Sequence, residues 1–228
     1  MIFMPLDIAL FVLVIPAIIF ASWAQFKVTS NFRRYSQVKT SNGLTGAQAA
    51  RDVLQQAGVT GVTIERIAGD LTDHYDPHTA TIRLSESVYD KATVAAVGVA
   101  AHEAGHAIQH AEGYSPMRLR SAIIPVTNFG SKLAMPLVFL GFILGMTGLI
   151  NIGIILFGAV VVFQLVTLPV EFNASNRAIA TLDGYAMLTV PEVEGSKKVL
   201  SAAALTYVGA LVVSLAQLVR FILLARRN

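Results

Sequence analysis

The apolar positions of the chain follow two patterns. Long, mostly apolar runs occupy 3–26, 133–145, 152–170 and 202–224, while 40–98 mixes short periodic segments with polar turns. The run at 3–26 is interrupted only by Asp7, Ser22 and Gln25. It is about long enough to span a bilayer. A cleaved signal peptide is the alternative, but a basic start is missing and the apolar run is too long. Pro16 is expected to kink this helix. Residues 114–132 read as a helix entering the membrane and 133–145 as its continuation. Met146 to Asn151 is a tight turn, and 152–170 is a second span, so the two form a transmembrane hairpin. The last run, 202–224, carries Gln217 and Arg220 and fits either a span or an interfacial helix.

Within the polar block, Leu44 to Ala57 has an apolar stripe at Ala47, Ala50, Val53, Leu54 and Ala57, the spacing of a helix face. Thr45 is its expected N-cap and Gly58 its stop. Val62 to Ile67 alternates as a half-buried strand, Leu71 to Thr79 is turn-rich, and Ala80 to Leu84 reads as a second strand. The two strands predict a β-hairpin. A helix over about Lys91 to Ala111 follows, ended by Gly113 and Pro116.

Composition sharpens the class. The chain is 54% hydrophobic and 14% charged, too apolar for an ordinary soluble domain, so a mainly α integral membrane protein with about three to four transmembrane helices is expected. The net charge of +3 is modest, and Lys and Arg cluster beside apolar runs, so they read as topology signals and not as a nucleic-acid surface. With no cysteine, any metal must be held by His, Asp or Glu.

The candidate chemistry lies in the third helix. Val99 to Glu112 contains H-E-x-x-H as His102, Glu103 and His106. Residues four apart share a helix face about 6 Å apart along the axis, so two imidazoles can converge on one zinc. Glu103 projects about 100° from His102 and suits a general base for hydrolysis. The neighbours Ala100, Ala101, Ala104, Gly105, Ala107 and Ile108 are uncharged, unlike those of a solvated face. A catalytic zinc needs a third ligand. His110 lies about 12 Å along the axis from His102, too far for one ion, and reads as a polar lining residue. Glu171, at the end of a span, fits better, although a lone carboxylate there could also be a helix cap. Arg177 suits equally an oxyanion partner or a carboxylate partner.

The hairpin returns the chain to the side it left, so Glu171 and the motif helix share a side. On that side nine cationic residues are counted near the apolar runs: Lys27, Arg33, Arg34, Lys39, Arg118, Arg120, Arg177, Lys197 and Lys198. Arg220, Arg226 and Arg227 stand against them. The positive-inside bias then puts the motif side in the cytoplasm of a multi-pass plasma-membrane protein.

H-E-A-G-H-A-I-Q-H-A, the preceding D-H-Y-D-P-H-T and the following E-F-N-A-S-N-R-A resemble the YugP-type neutral zinc metallopeptidases of bacteria over nearly the whole chain. More distantly the layout is similar to gluzincins of the HtpX and CAAX prenyl protease group. The resemblance implies one zinc per chain on His102, His106 and Glu171, with Glu103 as base, acting on a protein or peptide substrate at the membrane. It also implies a substrate-binding edge strand, for which Thr81, Ile82, Arg83 and Leu84 are the expected equivalent. On the preceding loop one of His74, Tyr75, Asp76 and His78 would donate to the oxyanion or orient a water, with plain turn chemistry at Asp76-Pro77 the alternative. The HtpX-like pattern often has Asp where this chain has Ser175, so support for a ligand His is expected from Asn173 or Asn176.

The expected organisation is an anchor (1–26), a soluble or interfacial catalytic part (27–120), a transmembrane hairpin (121–170), a third-ligand helix and loop (171–200) and a C-terminal helix (201–228). The competing functional class is a metal-stabilised, non-proteolytic membrane scaffold.

Overall fold

The computed structural model describes residues 8–226. Residues 1–7 of the expected anchor, and Arg227 of the C-terminal cluster, lie outside that range. Six α-helices and three short strands are described: α1 (Ile15–Tyr35), α2 (Gly46–Gln56), β1 (Thr63–Ile67), β2 (His74–Asp76), β3 (Thr81–Ser85), α3 (Val94–Ala111), α4 (Ser115–Leu144), α5 (Thr147–Gly184) and α6 (Val190–Ala225). The protein is a mainly α membrane protein with a small β part, as the patterning predicts. Among the described residues, four helices are long and apolar enough to cross a membrane: Leu10–Tyr35, Ser115–Leu144, Thr147–Gly184 and Val190–Ala225.

The chain divides into two compact units, one of 1–24, 119–168 and 205–228, the other of 25–118 and 169–204. In the first unit, large apolar side chains such as Ile19, Phe129, Phe139 and Ile155 are exposed, as a lipid-facing surface requires. Small residues let α4 and α5 approach. A Cβ on Gly153 would sit 2.8 Å from the Ala134 carbonyl oxygen, and one on Gly141 would sit 2.8 Å from the Ile150 nitrogen. The reversal between these helices is tight, with Gly145 at φ +65°. The effect of Pro16 differs from a simple kink. A π-helical turn, Leu10–Val14, runs into α1, and the Ile15 N–H bonds back to Leu10. Proline has no N–H for an i−4 bond, so the ladder is broken at this point.

The second unit is built around α3. The helix is capped at its start by Thr93, whose hydroxyl accepts from the Ala96 N–H. It ends in a Schellman turn, with Gly113 at φ +64°, Gly113 N–H on His110 O and Tyr114 N–H on Gln109 O. Ala96, Val97, Ala100, Ala101, Ala104 and Ala107 of α3 pack with Val53 and Leu54 of α2, Ile82 and Leu84 of β3, and Leu182 of α5 into one core. Thr45 caps α2 in a full capping box with Gln48.

The sheet corrects the expected strand pairing. Its order is β1-β3-β2. β1 and β3 pair in parallel, Thr63 opposite Thr81 through Ile67 opposite Ser85, so they are not the two arms of a hairpin. The hairpin is made by β2 and β3, with His74 opposite Arg83 and Asp76 opposite Thr81. The turn-rich segment supplies β2 because Asp76 builds the reversal itself. Its carboxylate accepts from the His78 N–H and the Thr79 hydroxyl and from Arg83 across the pair. These contacts hold the Asp76 carboxyl down at about 2. The placement of β3 also overturns the expectation that Thr81, Ile82, Arg83 and Leu84 form a substrate-accepting edge. Both edges of β3 are already paired, and the free edges belong to β1 and β2.

Candidate metal centre

α3 and α5 bring His102, His106 and Glu171 together. One ligand atom from each lies within 4.8 Å of the others, and this is the only such group of ligating side chains among the described residues. All three are sheltered, with side chains 15%, 9% and 3% exposed. Glu171 Oε2 stands 3.4 Å from His102 Nε2 and 3.6 Å from His106 Nε2. Good N–H···O hydrogen bonds are shorter, about 2.7–3.2 Å. A tetrahedral ion with ligands at about 2.0–2.1 Å sets its ligand atoms about 3.3–3.4 Å apart. The spacing therefore suits a shared ion better than direct pairing, and two imidazoles with a carboxylate are a donor set that zinc accepts.

Each imidazole is held by its other nitrogen. His102 Nδ1 lies 3.0 Å from the Ser175 hydroxyl, and His106 Nδ1 lies 3.0 Å from Gln109 Oε1. The Nε2 atoms are thereby turned toward Glu171. Electrostatics favour a cation here. Burial alone would lower the His106 pKa, but Glu171 and the Glu103 charge, helped by Gln109, raise it.

Glu103 is 7% exposed, and no described residue hydrogen-bonds or pairs with its carboxylate. A neighbour the sequence did not flag is Asp73. Burial pushes its carboxyl up, opposed by the Ser85 N–H and hydroxyl, and the Glu103 charge adds to the rise. Asp73 accepts from Ser85 N–H at 2.8 Å and from its hydroxyl at 2.9 Å, which ties the entry to β2 onto β3.

The remaining candidates do not join the cluster. His110 Nδ1 meets the Tyr75 hydroxyl at 2.8 Å. His74 Nδ1 meets the Thr72 carbonyl at 2.9 Å, and His78 contributes its backbone N–H to Asp76. Arg177 pairs with Glu112 at 2.7 Å and donates to Asn173 Oδ1 at 2.7 Å, so it acts as a carboxylate partner in this structure. Asn176 is exposed and partners neither imidazole. Support for His102 comes instead from Ser175, the position where an Asp was expected. A hydroxyl reaches Nδ1 as a carboxylate would. Support for His106 comes from Gln109, whose signal in the sequence was a polar residue on the apolar motif helix.

Close approach of the two ligand helices depends on Gly105. A Cβ there would lie 2.6 Å from the Ala174 carbonyl oxygen and 3.2 Å from its Cα. Those are backbone atoms, so a whole helix must move. Gly105→Val is expected to destabilise the fold by about 1–3 kcal/mol and to weaken zinc binding. Gly158→Ala, a helical site with nothing within 4 Å, is expected to be neutral or slightly stabilising. Melting temperature and zinc titration of the two variants beside the parent check this. Parent-like zinc affinity in Gly105→Val would show that the helix spacing is not needed.

Comparison with known proteins places these features in a family. The family model described as "Putative neutral zinc metallopeptidase" matches residues 10–226. A relative, "Putative membrane protease YugP" of Bacillus subtilis (strain 168), is 52% identical over 213 residues, covering 93% of this chain and 94% of that protein. No solved structure matches.

Proposed function

Since this chain belongs to the family described as putative neutral zinc metallopeptidases, we propose that it is a membrane-embedded, zinc-dependent endopeptidase with one zinc per chain. The observation that carries the reading is the convergence of His102, His106 and Glu171 within 4.8 Å, with Glu171 at 3.4 and 3.6 Å from the two Nε2 atoms and the carboxylate of Glu103 beside them on α3.

His102 and His106 present Nε2 from α3, and Glu171 presents a carboxylate oxygen from α5. Zinc held there supplies a Lewis acid that activates water and polarises a peptide carbonyl. Glu103 takes a proton from the attacking water and returns it to the leaving amine. Ser175 and Gln109 keep the two imidazoles turned for this work. Backbone recognition of an extended substrate falls to the free edge of β2, because Tyr75 of that strand touches α3 through His110. The working side is the cytoplasmic face of the plasma membrane, as the cationic residues of the motif side indicate. A protein or peptide substrate at the membrane fits a site carried by helices of this length.

The test uses detergent-purified full-length protein. About one zinc per chain is expected by metal analysis. A strong chelator should abolish cleavage of a quenched peptide library, and added zinc should restore it. Well-folded protein that carries no zinc, or cleavage indifferent to the chelator, would defeat the proposal.

A further inference from the structure

We infer that Gln109 is a positioning residue that fixes which nitrogen of His106 is free to bind metal, and that it ties this choice to the backbone beside Glu171. The inference rests on the metal reading above.

Gln109 is fully buried, so its amide must be satisfied by protein. Its Nε2 is 2.8 Å from the Val170 carbonyl oxygen and 2.9 Å from Asn173 Oδ1. The Val170 atom can only accept. The Asn173 atom is fixed as an acceptor too, because Arg177 Nε donates to it at 2.7 Å. Both amide protons of Gln109 are therefore used on α5, and the atom facing His106 Nδ1 at 3.0 Å must be Oε1. An oxygen there can only accept, so Nδ1 must carry a proton. In a neutral imidazole the lone pair is then on Nε2, the nitrogen 3.6 Å from Glu171 Oε2.

The second consequence is mechanical. Val170 directly precedes Glu171, so one buried side chain holds an imidazole of α3 and the backbone of α5 next to the carboxylate. The chain of contacts continues through Asn173 to Arg177 and ends on Glu112 at the exit of α3. His102 has no equivalent. Its Nδ1 meets the Ser175 hydroxyl, which can donate or accept, so it does not by itself select a tautomer. The two ligand histidines are thus held by different logic, and His106 is the one whose proton position is dictated.

The experiment compares parent, Gln109→Met and Gln109→Glu, each full length. Zinc affinity is measured by competition with a chelator, and the visible spectrum of the cobalt-loaded protein reports ligand geometry. Met fills similar space without an acceptor. It is expected to weaken zinc about 10–100-fold and to alter the cobalt bands. Glu keeps an oxygen opposite Nδ1 but has no N–H for Val170 O or Asn173 Oδ1, so it is expected to keep the parent cobalt bands while its affinity falls between those of the parent and the Met variant. Met and Glu both fill close to the space of Gln, so a loss of packing alone would not alter the bands of one and spare those of the other. Parent affinity and spectrum in Gln109→Met would overturn the inference. So would a Glu variant whose bands are altered as much as those of Met, since an acceptor opposite Nδ1 would then not be what sets the ligand geometry. A parent that takes up neither metal would defeat the metal reading and this inference together, before any variant is compared.

Discussion

Glu103→Gln is expected to keep its zinc and to lose peptide hydrolysis by about 100- to 10,000-fold. The proposed base is nearly buried, and no described residue binds its carboxylate, so its proton-accepting oxygens are uncommitted. Gln has almost the same shape and can still pack in α3, but it cannot take a proton. Glu103 follows His102 directly and is displaced about 100° around the helix, so the exchange leaves both imidazoles in place. Zinc per chain and initial rates on one cleavable peptide, parent beside variant, separate the two effects. Lost zinc would mean that Glu103 has a structural role at the site. Undiminished cleavage would move the base elsewhere, with Asp73 the nearest alternative because it lies within electrostatic reach of Glu103.

Glu171→Ala is expected to remove zinc almost entirely, a larger loss than the roughly 10–100-fold that follows when a partner behind a ligand is removed. Only two nitrogen ligands would remain, and no other described His, Asp or Glu stands in the cluster to replace the third. Glu171 is 2% exposed, so water is poorly placed to substitute. The variant also loses the carboxylate that faces both Nε2 atoms, so the metal-free protein should be compared by thermal melting before zinc is added. A folded Glu171→Ala protein that retains full zinc would sink the His-His-Glu assignment.

Several features were legible because their causes are local. The i, i+4 spacing of His102 and His106 puts both rings on one face of any helix containing them, and the apolar sequence around them makes that helix. Thr45 marks an end through its side-chain hydroxyl and Gly113 through its backbone freedom, and the structure has a cap at each. The apolar runs 3–26 and 152–170 are long enough to read as membrane helices from the sequence.

The strand pairing was not legible. The β1–β3 contact is parallel and crosses an intervening strand, which no turn signal between two neighbouring runs can announce. β2 is only three residues long and sits in a segment rich in turn formers. Asp76 and Asp73 hold it in place through contacts that depend on the finished sheet. Burial of Thr81 and Ser85 beside Ile82 and Leu84 follows from the central place of β3, which gives it a neighbour on each side.

By itself the sequence determined the membrane class, the zinc-type motif and the candidate ligands within α3. The tertiary structure decided which residues support them. Gln109 meets Val170 across 61 positions, and Ser175 meets His102 across 73. Such contacts exist only once α3 and α5 touch, and that approach turns on the missing side chain of Gly105 against the Ala174 backbone. A helix's own period fixes what lies on one of its faces, but only packing between helices fixes what that face meets.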